Sequence, residues 1–325
     1  MSQSKNILIA PLNWGLGHAT RCIPLIKKLK AQGHHLVIAS DGAALDLLKQ
    51  EFPDLPFETL PAYHITYARH SWLNFFHLLR QVPHILRTKT AEKKKTAQII
   101  ERYSIDCLIS DNRFGVFSDH IKSIYMTHQL RVPAGIWTFL TTFLHRQIYK
   151  KYDEIWVPDR NDDQNLSGAL GHLAYTKLPI RYLGILSRMK RRLLPVKYRY
   201  LAILSGPEPQ RSLLEQRIRS EFSKLTVPVA IVQGKVSGKP HLTKHGQIDI
   251  YNYLPTDMLE KLINQSETLI ARSGYTSVMD MFALEKQVIW VPTPGQPEQT
   301  YLARYLARKY GFNYIEQKRF KLPNA

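Results

Sequence analysis

The sequence reads as two doubly wound α/β units in tandem. Three observations carry that reading: short apolar runs alternate with amphipathic stretches, the alternation restarts at Tyr200, and a basic, proline-containing stretch from Ile185 to Tyr198 separates the two series. The length of 325 residues agrees, because single cores stop growing below that size and two domains of about 150 residues are the natural division. In the first series, the apolar run Asn6 to Leu12, the amphipathic stretch His18 to Ala31 and the apolar run Leu36 to Ser40 make a βαβ unit. Cys107 to Ser110, Ser123 to Thr127 and Ile155 to Val157 continue its sheet. In the second series the expected strands are Tyr200 to Leu204, Val227 to Gln233, Ile248 to Tyr253, Thr268 to Ala271 and Val288 to Val291. Met189-Lys190-Arg191-Arg192 and Pro195 mark the linker, which places the domains at residues 1–190 and 191–325. Ligands of such folds bind beyond the carboxyl ends of the strands, so the two Rossmann-like domains are expected to face each other across a cleft.

Composition narrows the partners. The 45 Lys+Arg against 26 Asp+Glu give a formal charge of +19, which favours phosphates, anionic lipid surfaces or nucleic acid. Nucleic acid ranks last, since no zinc-finger spacing, aromatic RNA-binding motif or helix-turn-helix signal accompanies the charge. Cys22 and Cys107 lie far apart without metal-ligand spacing, so neither a disulfide framework nor a metal site is expected. The N-terminus lacks a signal-peptide core and no apolar run is long enough to cross a bilayer, so a cytoplasmic protein is expected.

Three stretches carry chemistry. Asn13-Trp14-Gly15-Leu16-Gly17-His18 joins the first strand to the first helix, and its glycines let backbone approach a ligand. It resembles part of a dinucleotide fingerprint with Asp41 after the second strand, but the third glycine falls at Thr20, so NAD is not expected. His18 at the helix start is read as a neutral base, its pKa lowered by the helix N-terminus, with a surface capping histidine as the alternative. Asp111, in Ile109-Ser110-Asp111-Asn112, is read either as the group that orients His18 or as a loop-capping carboxylate. Ile270 to Asp280 reads as strand, turn and helix with Ser273 as N-cap, a site for a diphosphate on helix amides and on hydroxyls of Ser273, Thr276 or Ser277. Asp280, one turn on, suits the two hydroxyls of a ribose or is a solvated helix residue, and Glu298-Gln299 open a helix after Pro292-Thr293-Pro294-Gly295, where Glu298 also fits the acidic bias of a first turn.

With these three motifs in order, the sequence resembles the GT-B glycosyltransferases, specifically the family 28 group that includes the peptidoglycan N-acetylglucosaminyltransferase. The resemblance covers most of the chain and implies an inverting hexosyltransferase that uses a nucleotide sugar as co-substrate, with uridine favoured over guanosine and thymidine, and no other cofactor; helix amides in place of a DxD-like carboxylate pair point to metal independence. It implies His18 as the catalytic base, beside which Asp111 stands as the catalytic candidate read from its own position, and Gly17, Arg272, Ser273, Gly274, Ser277, Asp280, Glu298 and Gln299 as donor-binding residues. It further implies Ser205-Gly206 as a phosphate loop thinned of donors by Pro207 and Pro209, Gln233-Gly234 as a second donor-side loop, backbone near Tyr253 and Leu254 against the base, and Asn13, His128 and Gln129 on the acceptor side. The family's terminal helices that pack back on the first domain are not expected here. A nucleotide-sugar epimerase of the same fold and a non-catalytic sugar-nucleotide-binding protein are the alternatives.

One segment falls outside these motifs. Trp72 to Lys95 mixes Trp72, Phe75, Phe76, Leu78, Leu79, Ile85 and Leu86 with Arg80, Arg87, Lys89, Lys93, Lys94 and Lys95. It reads as a peripheral contact with anionic membrane at the inner face of the cell membrane, with a lipid-linked acceptor, or as a core-facing helix followed by a solvated basic one.

Overall fold

The computed structural model describes residues 4–63, 74–131, 138–173, 177–235 and 239–323; at 74–79, 138–141, 143 and 144 the backbone alone is described. The chain divides into two compact units, Met1–Leu186 and Ser187–Ala325.

In the first unit, β1 (Asn6–Pro11), α1 (Gly17–Ala31), β2 (His35–Ser40), α2 (Gly42–Glu51) and β3 (Phe57–Thr59) precede a 30-residue helix, α3 (Asn74–Tyr103). β4 (Cys107–Asp111), β5 (Lys122–Met126), α4 (Thr138–Tyr149), β6 (Glu154–Val157) and β7 (Ile180–Tyr182) follow. All pairings are parallel and the strand order is β3-β2-β1-β4-β5-β6-β7. The central strands are buried on both faces, which explains their unbroken apolar runs. Ile7, Ile9, Cys107, Ile109 and Ile124 pack against α1 residues Cys22, Ile23 and Ile26, while Leu8, Ala10, Leu108 and Tyr125 face the opposite core with Ile99. The short edge strands β3 and β7 were not expected. At three residues each, they carry too little pattern to register.

The second unit repeats the plan: β8 (Tyr198–Ile203), α5 (Gln210–Phe222), β9 (Val229–Val232), β10 (Leu242–His245), β11 (Ile248–Tyr251), α6 (Thr256–Asn264), β12 (Ser266–Ala271), α7 (Tyr275–Ala283), β13 (Gln287–Trp290), α8 (Pro297–Tyr310) and β14 (Asn313–Tyr314). The order is β10-β11-β9-β8-β12-β13-β14, parallel except for the fully exposed β10. After β14 the chain stays on this unit, burying Gln317, Phe320 and Leu322.

Two expectations change. Ser187 to Arg192, within the Ile185 to Tyr198 stretch read as the linker, is a strap sewn onto the second unit: the backbone N–H groups of Lys190 and Arg192 donate to Glu260 and Asn264, and Arg188 donates to Thr256 Oγ1 at 2.8 Å. The described part of the Trp72–Lys95 segment is one continuous helix rather than two, and Trp72 lies outside the described residues. Thr88, Glu92, Thr96 and Ile99 share its buried face, whereas Val82 and Leu86 are exposed, the reverse of an apolar face turned inward.

Candidate active site

Both sheets reverse their winding at the middle, and the loops beyond the reversal hold the candidate residues. In the first unit β1 and β4 are neighbours with Pro11 opposite Asp111, and the Leu12 N–H donates to the Asp111 carbonyl. That pairing brings the start of α1, which leaves β1, to the end of β4. His18 Nδ1 lies 3.1 Å from Asp111 Oδ1. Asp111 is fully buried, and His18 keeps 13% of its side chain exposed.

Arg21 and His128 complete the cluster. Arg21 Nε donates to Asp111 Oδ2 at 2.7 Å and its Nη2 pairs with Oδ1, so both carboxylate oxygens are held. Its Nη1 lies 3.0 Å from His128 Nδ1 and its Nη2 2.8 Å from His18 Nδ1. Asp111 carries a strong opposing burial penalty, which the Arg21 guanidinium and His18 overcome to hold the carboxyl well below the usual range. His18 is lowered chiefly by burial, then by Arg21, with Asp111 acting against both. The neutral imidazole foreseen from the helix N-terminus therefore has another principal cause. Arg21 was missed in the sequence, although its place one turn after His18 on α1 puts both on one face.

The loop bearing His18 is pinned from behind. Asn13, expected on the acceptor side, uses its side chain internally: Nδ2 donates to Asp41 Oδ2 at 3.0 Å and Oδ1 accepts from the Ala44 N–H. Asp41 in turn pairs with buried Arg113, whose Nη1 reaches Glu92 on α3 at 2.7 Å. Gly17 opens α1 and its carbonyl accepts from Thr20 Oγ1. Gln129 follows His128 directly, and its carbonyl accepts from Tyr149 OH at 2.8 Å.

In the second unit the corresponding reversal lies between β8 and β12, where Ala271 is opposite Ile203. Ser205 and Gly206 follow β8 in an exposed loop, and Gly206 has φ +96°. A Cβ on Gly206 would sit 3.5 Å from Thr293 Oγ1, a buried hydroxyl without a hydrogen-bond partner among the described residues. Thr293 is a donor-site candidate that sequence reasoning passed over, and an orphaned buried hydroxyl is the signal that marks it. Gly234 of the second donor-side loop has φ +69°, and Leu254 is half-buried before α6.

The motif after β12 is partly turned inward. Gly274, not Ser273, is the N-cap of α7, and no side chain caps that helix. Ser273 is buried, with Oγ donating to the Gln299 carbonyl at 2.8 Å. Arg272, expected at the donor, is buried with its guanidinium donating to the carbonyls of Val291, Pro292 and Gln210 and to Gln317 Oε1. It clamps three loops of its own unit, because a fork of fixed donors satisfies several carbonyls that would otherwise be orphaned. Gln299 also turns inward, accepting from the Thr293 N–H at 2.8 Å, while Glu298 is half-buried in the first turn of α8. Gly274 and Ser277 remain partly open at the α7 N-terminus, the end of a helix that suits an anion. Asp280 is nearly buried, accepts from Ser187 Oγ of the strap at 2.6 Å, and has its carboxyl pushed up to about 6 by burial.

Comparison with known proteins agrees with this architecture. Residues 212–324 match the glycosyltransferase family 28 C-terminal domain. An uncharacterized glycosyltransferase of Methanopyrus kandleri is 22% identical over 293 residues, 84% of this chain and 81% of that protein. The crystal structure of Acinetobacter baumannii MurG superposes with a TM-score of 0.59 at 14% identity, covering 98% of this chain and 87% of that one. A spinosyn rhamnosyltransferase complexed with thymidine diphosphate gives 0.59 at 12% identity, over 95% and 86%. Residues 212–324 are thus similar to a glycosyltransferase family 28 C-terminal domain, and the chain has the GT-B fold along nearly its whole length.

Proposed function

We propose that this protein is an inverting glycosyltransferase that passes a hexose from a nucleoside diphosphate sugar, UDP-linked, to a hydroxyl acceptor. The observation that carries the reading is the His18–Asp111 contact of 3.1 Å at the end of β1 and β4. A neutral His18 with Nδ1–H given to Asp111 has a lone pair on Nε2. It takes the acceptor's proton as that oxygen attacks the anomeric carbon, and the buried Asp111 carboxylate stabilises the imidazolium that forms. Attack opposite the leaving diphosphate inverts the anomeric centre. The second unit supplies the donor site: Gly206, Thr293, Gly274 and Ser277 for the diphosphate, Asp280 for the ribose, Leu254 for the base and Glu298 for the sugar hydroxyls. The α7 N-terminus meets the leaving group's charge with backbone amides, which makes the transfer metal-independent. The match to a family 28 C-terminal domain supports this division of labour. The thymidine diphosphate in the rhamnosyltransferase makes dTDP the control nucleotide for UDP.

The acceptor is proposed to be lipid-linked and met at an anionic membrane surface. The charge of +19 and the exposed Val82 and Leu86 on the basic helix α3 support that placement, and no helix among the described residues is long and apolar enough to cross a membrane. General-base help is worth about 10²–10⁴ in rate. His18→Ala should therefore lower kcat by that order with donor affinity little changed, measured as sugar transfer from labelled UDP-sugars to extracted lipid acceptors. Near-wild-type turnover, or a product of retained configuration, would exclude the mechanism.

A further inference from the structure

We infer that Arg21 is a positioning residue that divides the two histidines of the first unit, fixing His128 with its hydrogen on Nε2 and leaving His18 as the base; the inference rests on the glycosyl-transfer reading. A guanidinium only donates. Its Nη1 lies 3.0 Å from His128 Nδ1, so that nitrogen must offer its lone pair, and the ring's single hydrogen sits on Nε2. His128 then has no unprotonated nitrogen left with which to take a proton from a hydroxyl.

His18 differs because its Nδ1 faces two groups of opposite kind. Asp111 Oδ1, an obligate acceptor, is 3.1 Å away, and Arg21 Nη2, an obligate donor, is 2.8 Å away. Arg21 Nη2 gives a hydrogen to that same Asp111 oxygen, so its nearness does not oblige His18 Nδ1 to accept, and with Nδ1–H given to Asp111 the Nε2 lone pair is left for catalysis. The same guanidinium holds both oxygens of Asp111, so the carboxylate stays ionised and aimed at His18. Arg21 is 2% exposed, and Asp111 is fully buried, so solvent does not blur these roles. Among the described residues, the charged and titratable groups acting on His18 are Arg21 of its own helix, Asp111 at the end of β4 and His128 beyond β5; the Cys22 thiol lies 3.6 Å from Asp111 Oδ2, is pushed up by burial and stays protonated. Of these, Arg21 alone touches both histidines and the carboxylate.

The test reads protonation rather than turnover. Two-bond proton–nitrogen correlation spectra of histidine-labelled protein, with signals assigned by H128Q and H18Q, should show neutral His128 with a bare Nδ1 and a protonated Nε2. Arg21→Met should turn His128 into a mixture of tautomers and raise the His18 pKa by removing the adjacent cation. A wild-type His128 with its hydrogen on Nδ1, or an Arg21→Met protein whose His128 signals are unchanged, would overturn the inference. If Arg21→Met does not fold, the wild-type spectrum decides. A failed His18 mechanism would instead show as normal kinetics of His18→Ala with the His128 tautomer intact, so the two claims fall separately.

Discussion

Asp280 is held at a cost, and that cost is measurable. Its carboxyl lies at about 6 against an ordinary 3.8, with burial as the main cause and the Ser187 hydroxyl and Arg188 only partly offsetting it. A raised folded pKa means that the folded state favours the protonated acid. The stability it brings is fully present below pH 3.8 and is lost as pH rises through about 6. About 2 units at 1.36 kcal/mol each put the penalty near 3 kcal/mol at neutral pH. Asp280→Asn keeps an oxygen for Ser187 and removes the charge, but its amide also meets the Arg188 N–H with a donor. We therefore expect a net gain of about 1–2 kcal/mol at pH 8 that shrinks toward pH 5. Urea unfolding at both pH values measures it. The same variant should lose UDP affinity by calorimetry, since a buried acid kept against stability is the mark of a ligand site. Equal stability differences at pH 5 and 8 would refute the burial argument, and unchanged UDP affinity would refute the ribose assignment.

Three further outcomes follow from the geometry. Gly234→Ala places a Cβ 2.5 Å from the Leu204 carbonyl at a φ of +69°, and should cost about 1–3 kcal/mol in chemical denaturation. Arg272→Lys, which cannot reach Val291, Pro292, Gln210 and Gln317 at once, should lower stability by about 3 kcal/mol or more while leaving His18-dependent chemistry in the surviving folded fraction. Binding to anionic vesicles should weaken sharply as salt rises from about 0.1 to 1 M, where the screening length falls from about 10 to 3 Å; equal partitioning to neutral vesicles would remove the electrostatic argument.

The sequence by itself determined the two series of strands, their helices and the loops after β1, β8, β12 and β13 that hold the candidate residues. Those features are local, because a doubly buried strand must be an apolar run and a helix leaving it must carry an apolar stripe, as Cys22, Ile23 and Ile26 do. The very short strands β3, β7 and β14, and the exposed β10, leave no such mark, since pairing rather than burial of their own residues defines them. What only the tertiary structure decided is which groups meet and which way they turn. His18 and Asp111 are 93 positions apart, and the adjacency of β1 and β4 joins them. Arg272 and Ser273 sit in a motif whose spacing suits a donor, yet their side chains close loops from Gln210, Val291 and Gln299. A motif fixes the path of the backbone through local geometry; the direction of a buried polar side chain is fixed by which orphaned carbonyls lie within its reach, and those come from distant parts of the chain.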